Sequence, residues 1–328
     1  MALPYGLSCW RDREAGSCAV YWSPIRGAMT TRAKLENKAY EPREWEDPAC
    51  PVCGSREHSL FERFGDRGQY TYVLCASCRL VYLAPRPKYD DGFVHEAYEF
   101  YAEDSDRLVK SDAFLEATLP KLSLELDELA RYDRSRAALL DVGCALGNFL
   151  YAAKPRYQAV YGLDVSSRMA AFIETTIVAN VFRQRFEDLE TPIRFSAIRM
   201  SHVIEHIPDP NRWLQKAKGL LKEDGILVID VPNAFALDTR FKLALKRAGL
   251  RKGTWDPSWT PDHLYEPTVP GMLRLFARNG YEVLDCYSHG TGDPIASSAW
   301  AAVYHRRWVQ GSKMRFYVRP ANPATKTG

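Results

Sequence analysis

From Ala137 to Ser288 the chain alternates between two hydrophobic periods, and this alternation constrains its fold more than any other feature. AALLDVG, AVYGLDV, FSAIRMSHVI, GILVIDVPN and YEVLDCYS are apolar runs of strand length. Between them NFLYAAKP, SSRMAAFIETTIVA, RWLQKAKGLL and MLRLFARNG carry helical spacing, and the last stops on a glycine cap. Strands alternating with helices require crossover connections, hence a mostly parallel sheet covered on both faces. Ligands of such α/β sheets bind beyond the carboxyl ends of the strands.

The rest of the chain is arranged around this block. Residues 1–48 show no sustained period and read as a poorly ordered arm, 49–87 as a compact cysteine module, and 88–136 as a helical linker. In that linker Leu119, Leu122, Leu126 and Leu129 mark one apolar face, with Pro120 expected near a helix boundary. The α/β domain spans 137–310 with a lid-like insertion at 234–261, and 311–328 reads as a flexible basic tail. At 328 residues, 46% hydrophobic and 26% charged, this is ordinary globular composition. No stretch has the eighteen or so apolar residues of a membrane span, and no signal-peptide progression opens the chain, so the cytoplasm is the expected location. A net charge of +3 is too small to argue for a nucleic-acid partner.

Four of the eight cysteines form two pairs, Cys50-Pro-Val-Cys53 and Cys75-Ala-Ser-Cys78. That spacing fits a tetrahedral four-thiolate zinc site of ribbon type. A unit of about forty residues buries too little surface to hold itself together, so a structural metal supplies the folding energy. Nucleic-acid binding by the ribbon is the functional alternative, but the module shows no basic stripe.

In LLDVGCALGNFL, Gly143, Ala145 and Gly147 follow the end of a strand at Asp141 and lead into a helix. Glycines there let the backbone turn sharply and approach a ligand. The spacing is neither the dinucleotide fingerprint nor a phosphate loop, which ends in G-K-[ST]. An acid ahead of the turn repels phosphate and suits an ammonium group, and Asp164, closing the next strand, is placed to accept from two ribose hydroxyls. S-adenosylmethionine combines an ammonium group, a ribose and no phosphate.

At this point the residues resemble the class I S-adenosylmethionine-dependent methyltransferases, from about Leu139 to the end of YEVLDCYS. DVGCALGNFL is similar to their first motif, Asp164 to the acid ending their second strand, and MSHVIEHIPDP and LLKEDGILVIDVPN to later motifs. The resemblance implies a Rossmann-like, seven-stranded, mostly parallel sheet. It places Gly143 and Gly147 beside the methionine portion, Asp164 at the ribose and Asp188 of RFEDLE at the adenine edge; Asp141 and Ala145, in the same turn, and His202, at the carboxyl end of a central strand, complete the expected donor side. Ala145 departs from the usual central glycine. A zinc ribbon ahead of such a domain is similar to bacterial deoxysugar C-methyltransferases and to smaller glycan and natural-product methyltransferases. In the sugar enzymes a Y-D-E-H-type segment supplies catalytic groups; here TPDHLYEPT keeps Asp262 and His263 but has Thr260 where they have tyrosine. That departure favours transfer to oxygen over transfer to carbon, with His263 and Tyr265 lining the site of a small-molecule acceptor: a sugar, a glycan or a natural-product intermediate.

His202, Glu205 and His206 also spell H-x-x-E-H, an inverted zinc-peptidase signature. A peptidase would carry it in mid-helix, whereas here it follows a strand and precedes Pro208 and Pro210. Related quinone-pathway O-methyltransferases have a similar E-H pair, some with a divalent metal, but have an acid where this chain has His202. His206 is accordingly a candidate general base, because neutral imidazole takes a proton from a hydroxyl near neutral pH. Two readings stay open beside it: His206 holding the strand-to-helix turn, and His263 capping the helix of GMLRLFARNG. In the insertion, Trp255, Trp259 and the basic residues from Arg240 to Lys252 fit either an acceptor lid or a solvated face.

Overall fold

The computed structural model describes residues 44–65, 68–88, 112–177, 179–250, 263–289 and 308–322. Most of the N-terminal arm, the insertion residues 251–262 with Trp255, Trp259, Thr260 and Asp262, and the last six residues lie outside the described residues.

The cysteine module contains β1 (Trp45–Glu46), β2 (His58–Phe64), β3 (Tyr70–Cys75), β4 (Val81–Leu83) and β5 (Arg86–Pro87). β2, β3 and β4 form an antiparallel meander, and β1 pairs with β5. Next come α1 (Asp112–Leu129), β6 (Ala138–Val142), α2 (Asn148–Ala153), β7 (Ala159–Leu163), α3 (Ser167–Phe172) and β8 (Asn180–Phe182). The domain continues with β9 (Phe195–Ser201), α4 (Pro210–Leu220), β10 (Leu221–Pro232), α5 (Leu237–Arg247), β11 (Tyr265–Glu266), α6 (Val269–Arg278), β12 (Tyr281–His289) and β13 (Lys313–Pro320).

The main sheet runs β12-β13-β10-β9-β6-β7-β8, seven strands in a Rossmann-like arrangement as expected. β6 to β10 are parallel, and β13 is antiparallel to both neighbours. Side chains alternate across it: Leu140, Ile198 and Ile229 enter one core layer, while Leu139, Ala197 and Val228 enter the other with Leu126 and Leu129 of α1. Each fully buried side chain of this kind contributes about 1.5–3 kcal/mol. Local chemistry fixes the helix ends. Asp209 accepts from the Arg212 N–H at 3.1 Å to start α4, and Ser166 accepts from Met169 to start α3. No helix among the described residues is long and apolar enough to cross a membrane.

Four expectations are corrected. Lys313–Pro320 is not a flexible tail but β13, with Met314, Phe316 and Val318 buried against one face of the sheet and Arg315 and Tyr317 buried on the other. The domain therefore extends beyond residue 310. Pro120 lies inside α1, an exposed position in a helix held by its buried face, where one missing N–H is tolerated. The run FSAIRMSHVI leaves the sheet at Ser201 and ends in a single 3-10 turn, Ile204–His206. Thr268, not His263, caps α6, accepting from the Gly271 N–H at 3.1 Å.

Candidate active site

The glycine turn leaves β6 with three positive φ values, 68° at Gly143, 45° at Ala145 and 72° at Gly147. The Gly143 N–H donates to the Leu163 carbonyl at 2.8 Å, which ties the turn to the end of β7. A Cβ at Gly147 would sit 2.5 Å from Ile177 Cδ1, so only glycine lets α2 start this close to the turn that follows α3. Ala145 holds a left-handed conformation without glycine's freedom, at a cost of roughly 1–2 kcal/mol. Its N–H donates to Asp164 Oδ2 at 2.9 Å, and the Ser166 N–H donates to Oδ1 at 2.9 Å. Asp164 thus braces the turn as well as ending its strand. Burial pushes its carboxyl above the usual range, against the pull of those N–H groups.

Beyond the strand ends lies an open cleft lined by Gly143, Asp164, Arg185, Phe186, Glu187 and Trp213 among others. Phe186 and Trp213 meet at 4.8 Å between ring centroids, and the Trp213 indole N–H is buried with no partner among the described residues. Glu187 lines the cleft, whereas Asp188, expected at the adenine edge, is exposed and not part of that lining. The cause is the short 3-10 turn Phe186–Asp188, whose register the sequence pattern does not set. Arg185, Phe186 and Trp213 were missed; their only signal was adjacency to RFEDLE and the end of PDPNRW.

Asp141 sits beneath this wall, 2% exposed, and is not an open charge. Arg199 Nη1 donates to its Oδ1 at 2.9 Å, and the same guanidinium donates from Nε to Glu125 at 2.7 Å and packs over the Phe149 ring of α2. Glu125 also meets Arg315 at 2.9 Å, and Arg315 clasps Asp230 with two bonds of 2.8 Å. Asp230 lies 3.3 Å from His289 Nε2. This chain of buried charges, with members on α1, β6, β9, β10, β13 and β12, was not foreseen from the sequence.

On the far side of the β9 end, His202 adopts φ 55° and faces Glu205, Nδ1 to Oε1 3.2 Å. Glu205 is fully buried and its Oε2 has no hydrogen-bond partner among the described residues. Burial alone would push Glu205 upward, but His202, His263 and His206 around it hold its carboxyl below the usual range. The His206 and His263 rings meet edge to face, centroids 4.7 Å apart, and one nitrogen of each lies within 4.8 Å of a Glu205 oxygen. His263 Nδ1 is 2.9 Å from Glu266 Oε1, which fixes the ring. Two histidines 57 positions apart are thereby brought together, whereas His202, expected on the donor side, does not line the cleft. Tyr265 is corrected: it is fully buried, and its hydroxyl donates to the Ile204 carbonyl rather than facing an acceptor. H-x-x-E-H stands on a strand exit and a 3-10 turn, not on a peptidase helix.

The four cysteine sulfurs of the module lie within 4.8 Å of one another, with Cys50–Cys78 and Cys53–Cys75 each at 3.5 Å. Bonds of ~2.3 Å in a tetrahedron place ligand sulfurs about 3.8 Å apart, whereas a disulfide needs ~2.05 Å. The donor set therefore fits a tetrahedral thiophilic ion.

Residues 114–285, over half of the chain, match the family described as a methyltransferase domain. Over 202 residues the chain is 27% identical to a trans-aconitate 2-methyltransferase of Methylobacterium radiotolerans, covering 58% of this chain and 73% of that one. It is 32% identical over 120 residues to a ubiquinone biosynthesis O-methyltransferase of Xanthomonas campestris, covering 33% of this chain and half of that relative. Superposition on magnesium protoporphyrin IX methyltransferase from Synechocystis covers 70% of this chain and all of that one, at 15% identity and a TM-score of 0.48. With the family match spanning the glycine turn, Asp164 and the histidine turn, the chain belongs to the S-adenosylmethionine-dependent methyltransferases of class I.

Proposed function

We propose that this enzyme methylates a hydroxyl oxygen of a small molecule, a sugar, glycan or natural-product intermediate, using His206 and His263 to receive the hydroxyl proton. The observation that carries this reading is the His206–His263 pair beside the buried carboxylate of Glu205. S-adenosylmethionine, when bound, supplies a methyl group already activated on sulfonium. In the cleft, Asp164 would accept from the ribose hydroxyls, the turn at Gly143 and Ala145 would hold the methionine portion, and Glu187 and Trp213 would hold the adenine. Such a site need only align the acceptor oxygen in line with the methyl group and exclude water. With donor and acceptor bound, His206 would take the proton of the acceptor hydroxyl, and the ionised Glu205 would stabilise the imidazolium without itself being protonated. Cys50, Cys53, Cys75 and Cys78 would hold zinc, whose contribution is a structural cross-link.

A cysteine module ahead of the methyltransferase domain, as in sugar- and glycan-pathway enzymes, supports the acceptor class. Two of the relatives, named for trans-aconitate and for ubiquinone biosynthesis, support a small acceptor. Methyl-labelled donor incubated with the enzyme and a panel of sugars, sugar nucleotides and phenolic acids tests the reading by product mass. A labelled O-methyl product that His206→Ala fails to form supports it; labelled product on nitrogen or carbon alone, or none from any hydroxyl compound, sinks it.

A further inference from the structure

His263 belongs to two structures at once. The segment 263–268 runs between the cysteine module and the histidine turn, and its backbone is bonded to both. On the module side, Tyr265 and Glu266 pair antiparallel with Tyr82 and Val81 of β4, making β11 the fourth strand of the module's sheet. The Leu83 N–H donates to the Leu264 carbonyl at 2.9 Å, and Thr268 Oγ1 donates to the carbonyl of Arg79, the residue after Cys78. On the turn side, the Leu264 N–H donates to the Glu205 carbonyl at 2.9 Å, and the Tyr265 hydroxyl to that of Ile204. One side chain of the module reaches the backbone of His263 itself: the Tyr72 hydroxyl, fully buried in β3, donates to the His263 carbonyl at 2.7 Å.

We propose that Tyr72 is a positioning residue for the His206–His263 pair, through which the cysteine module sets the geometry of the acceptor side. The assignment rests on the reading of that pair as the proton-accepting group. Tyr72 stands three residues before Cys75, where β3 ends, so the position of its hydroxyl depends on the four-sulfur cluster, to which the β3–β4 knuckle gives Cys75 and Cys78. Its ring packs at 5.5 Å on Phe64, which fixes the phenol from the other side. Among the described residues, those lining the donor cleft include none of the module, so a change at Tyr72 acts on one half of the site. Tyr82, in the neighbouring strand, supplies an internal control: its hydroxyl is buried with no hydrogen-bond partner among the described residues.

The test compares zinc-loaded wild type, Tyr72→Phe and Tyr82→Phe by the imidazole resonances of isotopically labelled histidine and by calorimetric titration with S-adenosylmethionine. Tyr72→Phe is expected to move the His263 and His206 resonances together while the donor dissociation constant stays within about twofold, a change under half a kcal/mol. Tyr82→Phe is expected to leave both resonances in place. Removing zinc from the wild type with a chelator is expected to move the same two resonances, which keeps the test decisive if Tyr72→Phe does not fold. Histidine signals that stay put in Tyr72→Phe or after zinc removal overturn the proposal, as does a parallel loss of donor affinity, the mark of a merely structural hydroxyl. If the wild type binds no donor, the methyltransferase reading of the cleft fails while the histidine comparison still stands.

Discussion

Arg199 Nη1 lies 2.9 Å from Asp141 Oδ1, so the acid at the root of the glycine turn is neutralised from within the sheet before any ligand arrives. The same guanidinium holds Glu125 at 2.7 Å, and both carboxylates are buried. Removing one partner of such a cluster strands the others in a poor dielectric. Arg199→Met is expected to lower unfolding free energy by about 3–5 kcal/mol. Urea denaturation checks this, and a loss below about 1 kcal/mol would contradict a buried, ionised cluster.

Donor affinity is expected to depend on pH through Asp164. Burial raises its carboxyl above the usual range in the free protein. Ribose hydroxyls that donate to it favour the ionised form, so binding releases protons. Affinity therefore increases as pH rises from the ordinary carboxylate value of about 4 through the raised value, and levels off above it. Calorimetry from about pH 4.5 to pH 8 reads this; affinity that falls with rising pH in that window would contradict it.

Glu205→Gln removes the charge shared by His202, His206 and His263. The turnover number is expected to fall roughly 100-fold, the usual scale of lost acid–base assistance, with donor affinity unchanged. Stability changes with a defined sign as well. A carboxyl held below its usual range stabilises the fold above its unfolded value, and that contribution is lost as pH falls through the folded value. The stability advantage of wild type over Glu205→Gln should therefore shrink on acidification, read from Tm against pH; an advantage that grows would contradict the ionised state.

Zinc content is expected to be one ion per chain, held by the four thiolates. Chelation or Cys75→Ser should lower Tm and abolish the metal signal in elemental analysis, because the module's small core cannot stand alone. Full stability without metal would contradict the site.

The sequence carried the turn and the sheet because both rest on local chemistry. Gly143 and Gly147 are required by positive φ and close approach, and Asp164 by its place at a strand end. Arg315 and Glu125 were illegible because each looks solvated until its counter-charges arrive from strands distant in the chain. β13 was legible in principle: in KMRFYVRP the buried Met314, Phe316 and Val318 recur at the period of two, masked by Arg315 between them and by the flanking Lys313 and Arg319. At Glu187 and Asp188 the cause is different, since one residue in a 3-10 turn exchanges the wall for solvent. The meeting of His206 with His263 depends on β11 joining another sheet, which no local pattern encodes.

Above all, the cleft beside Asp164 is expected to bind the methyl donor. Calorimetric titration of wild type and Asp164→Ala with S-adenosylmethionine, each checked for an intact fold, decides it. Saturable binding by the wild type, weakened at least tenfold or about 1.4 kcal/mol in the variant, is the predicted result. No binding by folded, zinc-loaded wild type, or equal affinity in both proteins, would contradict it.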